Sequence, residues 1–182
     1  MKRLIAPAFA LFALVGMAFA GDVKSGLDLG ESTTPFIVKD ITGPNKGKSL
    51  CYRCAYGAKP VTCIFTREIN DEVASLIQQI DTTVGANGDK HMAGFVVLLT
   101  NDADAGAKQL AKLAADKGIK NVPLTVYDGN AGPEKYKISK DAALTVLMWN
   151  KGHVEVNNAF DTAKITADQV KTITGETSKI LK

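Results

Sequence analysis

Val61-Thr-Cys-Ile-Phe-Thr66 is six residues without a charge, rich in β-branched and aromatic side chains, and it runs through Arg67-Glu-Ile69 to Asn70-Asp-Glu-Val73. An unbroken apolar run of this length is the pattern of a strand covered on both faces, as in a parallel sheet, rather than one with a wet side. Asn70 then reads as a helix N-cap, with Asp71 and Glu72 in the first turn where negative charge suits the helix dipole. Val73, Leu76, Ile77, Ile80 and Val84 recur at helical spacing, and Gly85-Ala-Asn-Gly88 ends the element.

Downstream the alternation repeats. Phe95-Val-Val-Leu-Leu99 predicts a second buried strand. A helix follows from Asp102 or Asp104, with Leu110, Leu113 and Ala114 inward and Gly118 closing it, and then a third strand over Val122–Val126. Leu144–Met148 and Val154–Val156 flank Asn150-Lys-Gly152 as a hairpin, and Thr166-Ala-Asp-Gln169 is a capping box that opens a terminal helix. Upstream, Pro35–Ile41 reads as a short strand followed by a Gly-Pro turn. This order predicts an α/β sandwich around a mixed sheet.

Every cysteine lies just before or within the first buried strand: Cys51 and Cys54 as C-x-x-C, and Cys63 inside the strand. Ser49 to Lys59 is expected to be a loop or irregular hairpin. Arg53 between the sulfurs, with Lys48 and Lys59 close by, would favour thiolate and lower a cysteine pKa. Three readings of the pair stay open: a redox-active pair, a small structural disulfide, and half of a soft metal site completed by His91 and Met92. Cys63 reads as inert core packing. Tyr52 and Tyr56 are expected to cover the pair or to meet a partner, and Trp149 to pack at a strand end.

Met1 to Ala20 has Lys2 and Arg3, an apolar run from Leu4 to Phe19, and Ala18-Phe-Ala20 before Gly21, the pattern of a secretory signal peptide. The expected organisation is a signal peptide at 1–20, a flexible Gly/Ser/Thr-rich segment at 21–34 and one domain at 35–182. An exported product, periplasmic or extracellular and with no membrane contact after cleavage, makes a Cys51–Cys54 disulfide the resting state. The chain of 182 residues has 22 Lys+Arg against 19 Asp+Glu, spread rather than clustered in sequence, which does not imply nucleic-acid or anionic-membrane binding.

Taken in order, Thr34-Pro-Phe36 with Asp40 and Gly43, the strand Pro60 to Arg67, Val122-Pro-Leu-Thr-Val-Tyr-Asp128, Tyr136-Lys-Ile138 and the Leu144–Gly152 hairpin resemble the thioredoxin-like fold. Within it the chain is similar to the redoxin branch of peroxiredoxins and TlpA-like thiol–disulfide proteins, over roughly residues 30 to 181. The resemblance implies a three-layer sandwich with a central mixed sheet, and protein thiols or disulfides as partners. In that family the reactive cysteine follows the first core strand, where this chain has Thr66–Val73 without a cysteine, and the cis-proline position matches Ala143. No typical peroxidase site is therefore expected and no cofactor is implied. The functional expectation is thiol–disulfide exchange through Cys51 and Cys54, with Arg53 stabilising the thiolate. The alternative is a binding module, for copper or another metal or for a protein partner, with a structural disulfide.

Export with cleavage after Ala20 is expected to give a mature protein that begins at Gly21, read directly by intact-mass analysis; exported protein retaining residues 1–20 would contradict it.

Overall fold

The computed structural model describes residues 23–182; the expected signal peptide and its cleavage site lie outside them. Seven strands form one sheet in the order β2-β1-β5-β4-β3-β6-β7. In chain order these are β1 (Val38–Asp40), β2 (Ser49–Leu50), β3 (Val61–Thr66), β4 (Ala93–Thr100), β5 (Leu124–Asp128), β6 (Leu144–Asn150) and β7 (His153–Phe160). The helices are α1 (Tyr52–Tyr56), α2 (Asp71–Ala86), α3 (Ala103–Lys117) and α4 (Ala167–Gly175). β3, β4 and β5 run parallel, while β6 pairs antiparallel with β3 and β1 antiparallel with β5, so the sheet is mixed.

The helix starts sit where the capping chemistry puts them. Asn70 accepts from Val73 N–H at 2.9 Å, Asp102 from Ala105 N–H at 2.9 Å, and Thr166 and Gln169 close a reciprocal capping box. The third buried strand begins later than its apolar run does. Val122 N–H is held by Asp81 Oδ1, as are Lys120 and Asn121 N–H, so parallel pairing with β4 starts only at Leu124.

The two sheet faces are covered differently. All three long helices pack on one face, where Leu76, Ile77, Leu110 and Ile173 meet Ile64, Val96 and Val146. The other face carries Cys63, Phe65, Phe95 and Trp149, and among the described residues no long helix covers it. Its outer layer is α1, the N-terminal segment and a 3-10 turn at Glu134–Tyr136. Aromatic edges fill this thinner layer: Phe36 meets Tyr136 edge-on at 4.7 Å and Phe95 meets Trp149 at 6.1 Å. A register shift between Met148 and Trp149 puts Val154 on this face and Val156 on the helical one.

The N-terminal segment departs from its expected flexibility. Over 23–34 it is strapped to the sheet. Gly26 N–H donates to Lys137 O at 3.0 Å, Gly30 N–H to Val154 O at 2.8 Å and Thr33 N–H to Gly152 O at 2.8 Å. Asn157 Nδ2 donates to the carbonyls of Ser25 and Leu27, and Leu27 is buried in the aromatic layer. A Gly/Ser/Thr-rich composition signals irregular backbone, but these polar groups find partners on the edge strand.

Leu27→Ala is therefore expected to destabilise the fold by about 2 to 3 kcal/mol, the cost of a buried leucine truncation. Chemical denaturation measures this, and a change below about 0.5 kcal/mol would return the segment to the status of a loose tail.

Candidate functional site

Cys51 and Cys54 are joined as a disulfide with their Cα atoms 5.2 Å apart. The expected loop around them is instead the single-turn helix α1. Cys51 is its N-cap, with Sγ accepting from Cys54 N–H at 3.0 Å; Ala55 N–H reaches Cys51 O, and Gly57, at φ 59°, turns the chain out of the helix. Five residues cannot hold a helix by themselves, and side chains clamp this one to the body of the protein.

Two tyrosines do most of this. Tyr52 is 2% exposed and lies against Phe95 at 5.6 Å, and its hydroxyl donates to Asp40 Oδ2 at 2.6 Å. Asp40, fully buried, also accepts from Gly43 N–H at 2.7 Å and Asn45 N–H at 2.8 Å, so one carboxylate fixes both the β1–β2 turn and α1. Gly43 is the residue this requires, because a Cβ there would lie 2.5 Å from the Tyr52 hydroxyl. Burial, and then the Asp40 hydrogen bond, pushes the Tyr52 phenol well above its ordinary pKa. Tyr56 Oη donates to Gly94 O at 3.2 Å, and burial raises its pKa as well. The tyrosines are thus anchors beneath the pair rather than a cover over it.

Arg53 is the third clamp. Nε donates to Thr33 Oγ1 at 2.9 Å and Nη1 to Gly57 O at 3.4 Å, while Thr33 Oγ1 itself donates to Gly152 O. The guanidinium lies over the β6–β7 turn so closely that a Cβ on Gly152 would sit 2.5 Å from Nη2. Its hydrogen bonds go to the strap and the helix end rather than to sulfur, which makes it a positioning residue. Thr33, Asp40 and Gly152 were not among the expected site residues, and Tyr52 was expected as a cover or partner contact; the Asp40-x-x-Gly43 turn next to a tyrosine-flanked C-x-x-C was the available signal.

The disulfide stands at the end of the sheet where β3, β4 and β5 begin. Three contacts place it there: α1 leads into β3, Tyr56 reaches the start of β4, and Lys151 N–H donates to Ala58 O. The position matched to the family's reactive cysteine is at the other end, one six-residue strand away, or roughly 20 Å. That end is filled by Arg67, whose guanidinium donates to Ala142 O and to Asn130 O, while its backbone N–H donates to Ala143 O. Asn70 there is committed to capping α2 and to Ala163 O.

The remaining candidates do not join the pair. Cys63 is buried between β4 and β6, and burial pushes its thiol far above the ordinary value. Met92 is buried in the helix-side core, across the sheet from α1, and His91 is exposed at the end of a 3-10 turn with φ 56°. Among the described residues no three or more His, Cys, Asp or Glu side chains are grouped to surround a metal ion.

If Asp40 anchors α1, Tyr52→Phe removes one donor from a buried carboxylate and is expected to cost about 1 to 3 kcal/mol. Thermal unfolding reads it; an unchanged midpoint would mean the hydroxyl contributes nothing.

No family profile matches the chain, and no curated protein matches it in sequence. Solved structures do match in shape. A Chlorobium tepidum protein described as a thiol:disulfide interchange protein, DsbE, is 14% identical with a TM-score of 0.66, covering 86% of this chain and 99% of that one. The thioredoxin domain of a thiol-disulfide oxidoreductase from Bacteroides vulgatus is 13% identical with a TM-score of 0.60, covering 82% and 97%. The peroxidoxin BcpB from Mycobacterium tuberculosis is 11% identical with a TM-score of 0.61, covering 85% and 97%. Both the expected mixed α/β sheet and the likeness to thiol–disulfide proteins and peroxiredoxins are therefore met, and the chain has the thioredoxin-like fold.

Proposed function

We propose that this is an exported thioredoxin-fold protein that exchanges thiols and disulfides with other proteins through Cys51 and Cys54. The observation that carries the reading is an exposed disulfide on a helix whose attachment does not depend on it. Tyr52, Tyr56 and Arg53 hold α1 to β1, β4 and the strap, so breaking the S–S bond leaves those contacts in place. A three-residue separation also gives the crosslink little loop entropy to remove, which makes it a poor structural brace.

The order of events follows from exposure. Cys54 is exposed and Cys51 half-buried. A partner thiolate attacks Cys54 Sγ; a new intermolecular S–S bond forms, the Cys51–Cys54 bond breaks, and Cys51 leaves with the electron pair. The Cys54 backbone N–H already points at Cys51 Sγ and stabilises that thiolate. A second partner thiolate then attacks the partner sulfur of the mixed disulfide and expels Cys54 as thiolate. Two electrons have passed from the partner dithiol to this chain. The reverse sequence reduces a partner disulfide, with Cys54 attacking and Cys51 resolving.

Redox titration in glutathione with mass-tagged alkylation is expected to give a potential between about −120 and −270 mV rather than below about −300 mV. Reduction is expected to cost less than about 2 kcal/mol of stability. Cys51→Ser should accumulate a mixed disulfide on Cys54, and Cys54→Ser should accumulate much less. A potential in the structural range, together with a large fall in melting temperature, would instead make the bond structural.

A further inference from the structure

Charge is divided unevenly between the two ends of the sheet. Around the disulfide, the β1–β2 turn, the α1–β3 link, the loops before β4 and β5 and the β6–β7 turn present Lys46, Lys48, Lys59, Lys90, Lys120 and Lys151, all exposed. None of the ion pairs among the described residues uses any of them. Their exposed acidic company in those loops is Asp89, since Asp40 is buried and occupied by Gly43, Asn45 and Tyr52. At the far end, where β3 and β4 finish and β6 starts, exposed acids are in the majority: Glu68, Asp71, Glu72, Asp102, Asp104 and Asp141 against Lys108, Lys135 and Lys140.

This separation does not come from an excess of one sign, because the whole chain has 22 basic and 19 acidic residues. The fold creates it. Residues scattered along the sequence meet at one end because β3, β4 and β5 run parallel and all begin there, while β1 and β6, antiparallel to their neighbours, finish there. Like charges left unpaired and close together lower stability slightly and raise the local potential, which steers oppositely charged partners by roughly 10-fold to 1000-fold in association rate. Apolar docking has less to offer here: of the large exposed apolar side chains among the described residues, Leu29 lies in the N-terminal segment and Ile37 directly before β1, neither in α1.

We propose that the disulfide-bearing end is a cationic docking surface for a protein whose reactive thiol or disulfide lies in an acidic surface. The inference rests on the exchange reading and adds to it the kind of partner selected.

The test compares the full chain, reduced, reacting with three small disulfides that differ in charge, anionic dithiodipropionate, neutral hydroxyethyl disulfide and cationic cystamine, and reads the change in their rate ratio, since their leaving thiols differ in intrinsic reactivity. In each reaction Cys54 forms a mixed disulfide and expels one probe thiol; Cys51 then closes the intramolecular bond and expels the second. From low salt to about 0.5 M, where charges are screened beyond a few ångströms, the anionic-to-cationic rate ratio is expected to fall about tenfold. In K48E/K59E, or K48Q/K59Q should the double reversal not fold, the low-salt ratio is expected to collapse toward its high-salt value, a readout that a changed thiolate population does not move because it scales the rates of all three probes alike. A ratio insensitive to both salt and substitution overturns the docking surface but leaves exchange standing. No reaction with any probe overturns the exchange reading, and the docking surface with it.

Discussion

The hydrogen bond from Tyr52 to Asp40, inside the protein, fixes where the Cys51–Cys54 disulfide sits. A buried carboxylate is tolerated only when its lone pairs are occupied, and Asp40 meets that requirement with two turn amides and one phenol. Those donors come from two places: the β1–β2 turn supplies two and α1 the third. Removing any of them exposes the carboxylate's desolvation cost, so the turn, the edge of the sheet and the C-x-x-C helix are energetically one unit. The side chain beside Cys51 thus ties it to β1, although the backbone reaches that strand only through β2 and the intervening turn.

Seen this way, the chain keeps a thioredoxin-like sheet but moves its cysteines to the opposite end. Open α/β sheets usually bind ligands beyond the carboxyl ends of their parallel strands, because helix N-termini and flexible loops gather there. Here that end is closed by Arg67, whose donors are spread over the carbonyls of Asn130 and Ala142. A guanidinium so engaged has little capacity left for a substrate, and no sulfur lies beside it. At the other end, α1 was able to form because the sheet face beneath it is covered by aromatic rings rather than by a long helix. Only a thin layer offers a groove into which a single turn can settle.

How much of this the sequence discloses depends on whether a feature is local. The helices α2, α3 and α4 are long enough for periodicity, and Asn70, Asp102 and Thr166 announce their starts, so their existence and faces could be read directly. Buried Cys63 was equally plain within an uninterrupted apolar strand. α1 was not, because five residues carry no period and its stability comes from Asp40, twelve positions away, and from Gly94. The strap at 23–34 was misread for the same reason: its polar composition is that of a loose tail, and its partners, Lys137, Val154 and Asn157, lie more than a hundred residues on. Arg53 shows the limit most sharply. Its position between two cysteines argues for thiolate stabilisation, but its donors face Thr33 and Gly57, a matter of geometry that no spacing reveals.

The same arrangement separates stability from reactivity within one turn of helix. In α1 the side chains of Tyr52 and Tyr56 point into the aromatic layer and Arg53 reaches the strap, while Cys54 is exposed to solvent. Beside this anchoring through hydroxyls and a guanidinium, the sulfur atoms contribute the bond to each other and the cap contact from Cys54 N–H to Cys51 Sγ. An exchange site benefits from that division, since the mixed disulfide has to open the ring without loosening the helix that presents it. The single intrahelical contact that involves sulfur, Cys54 N–H to Cys51 Sγ, strengthens rather than weakens when Cys51 gains charge. Reduction to a Cys51 thiolate would therefore strengthen an existing interaction at the site where it removes a bond, and the lysines that ring this end would raise the potential in which that new charge sits.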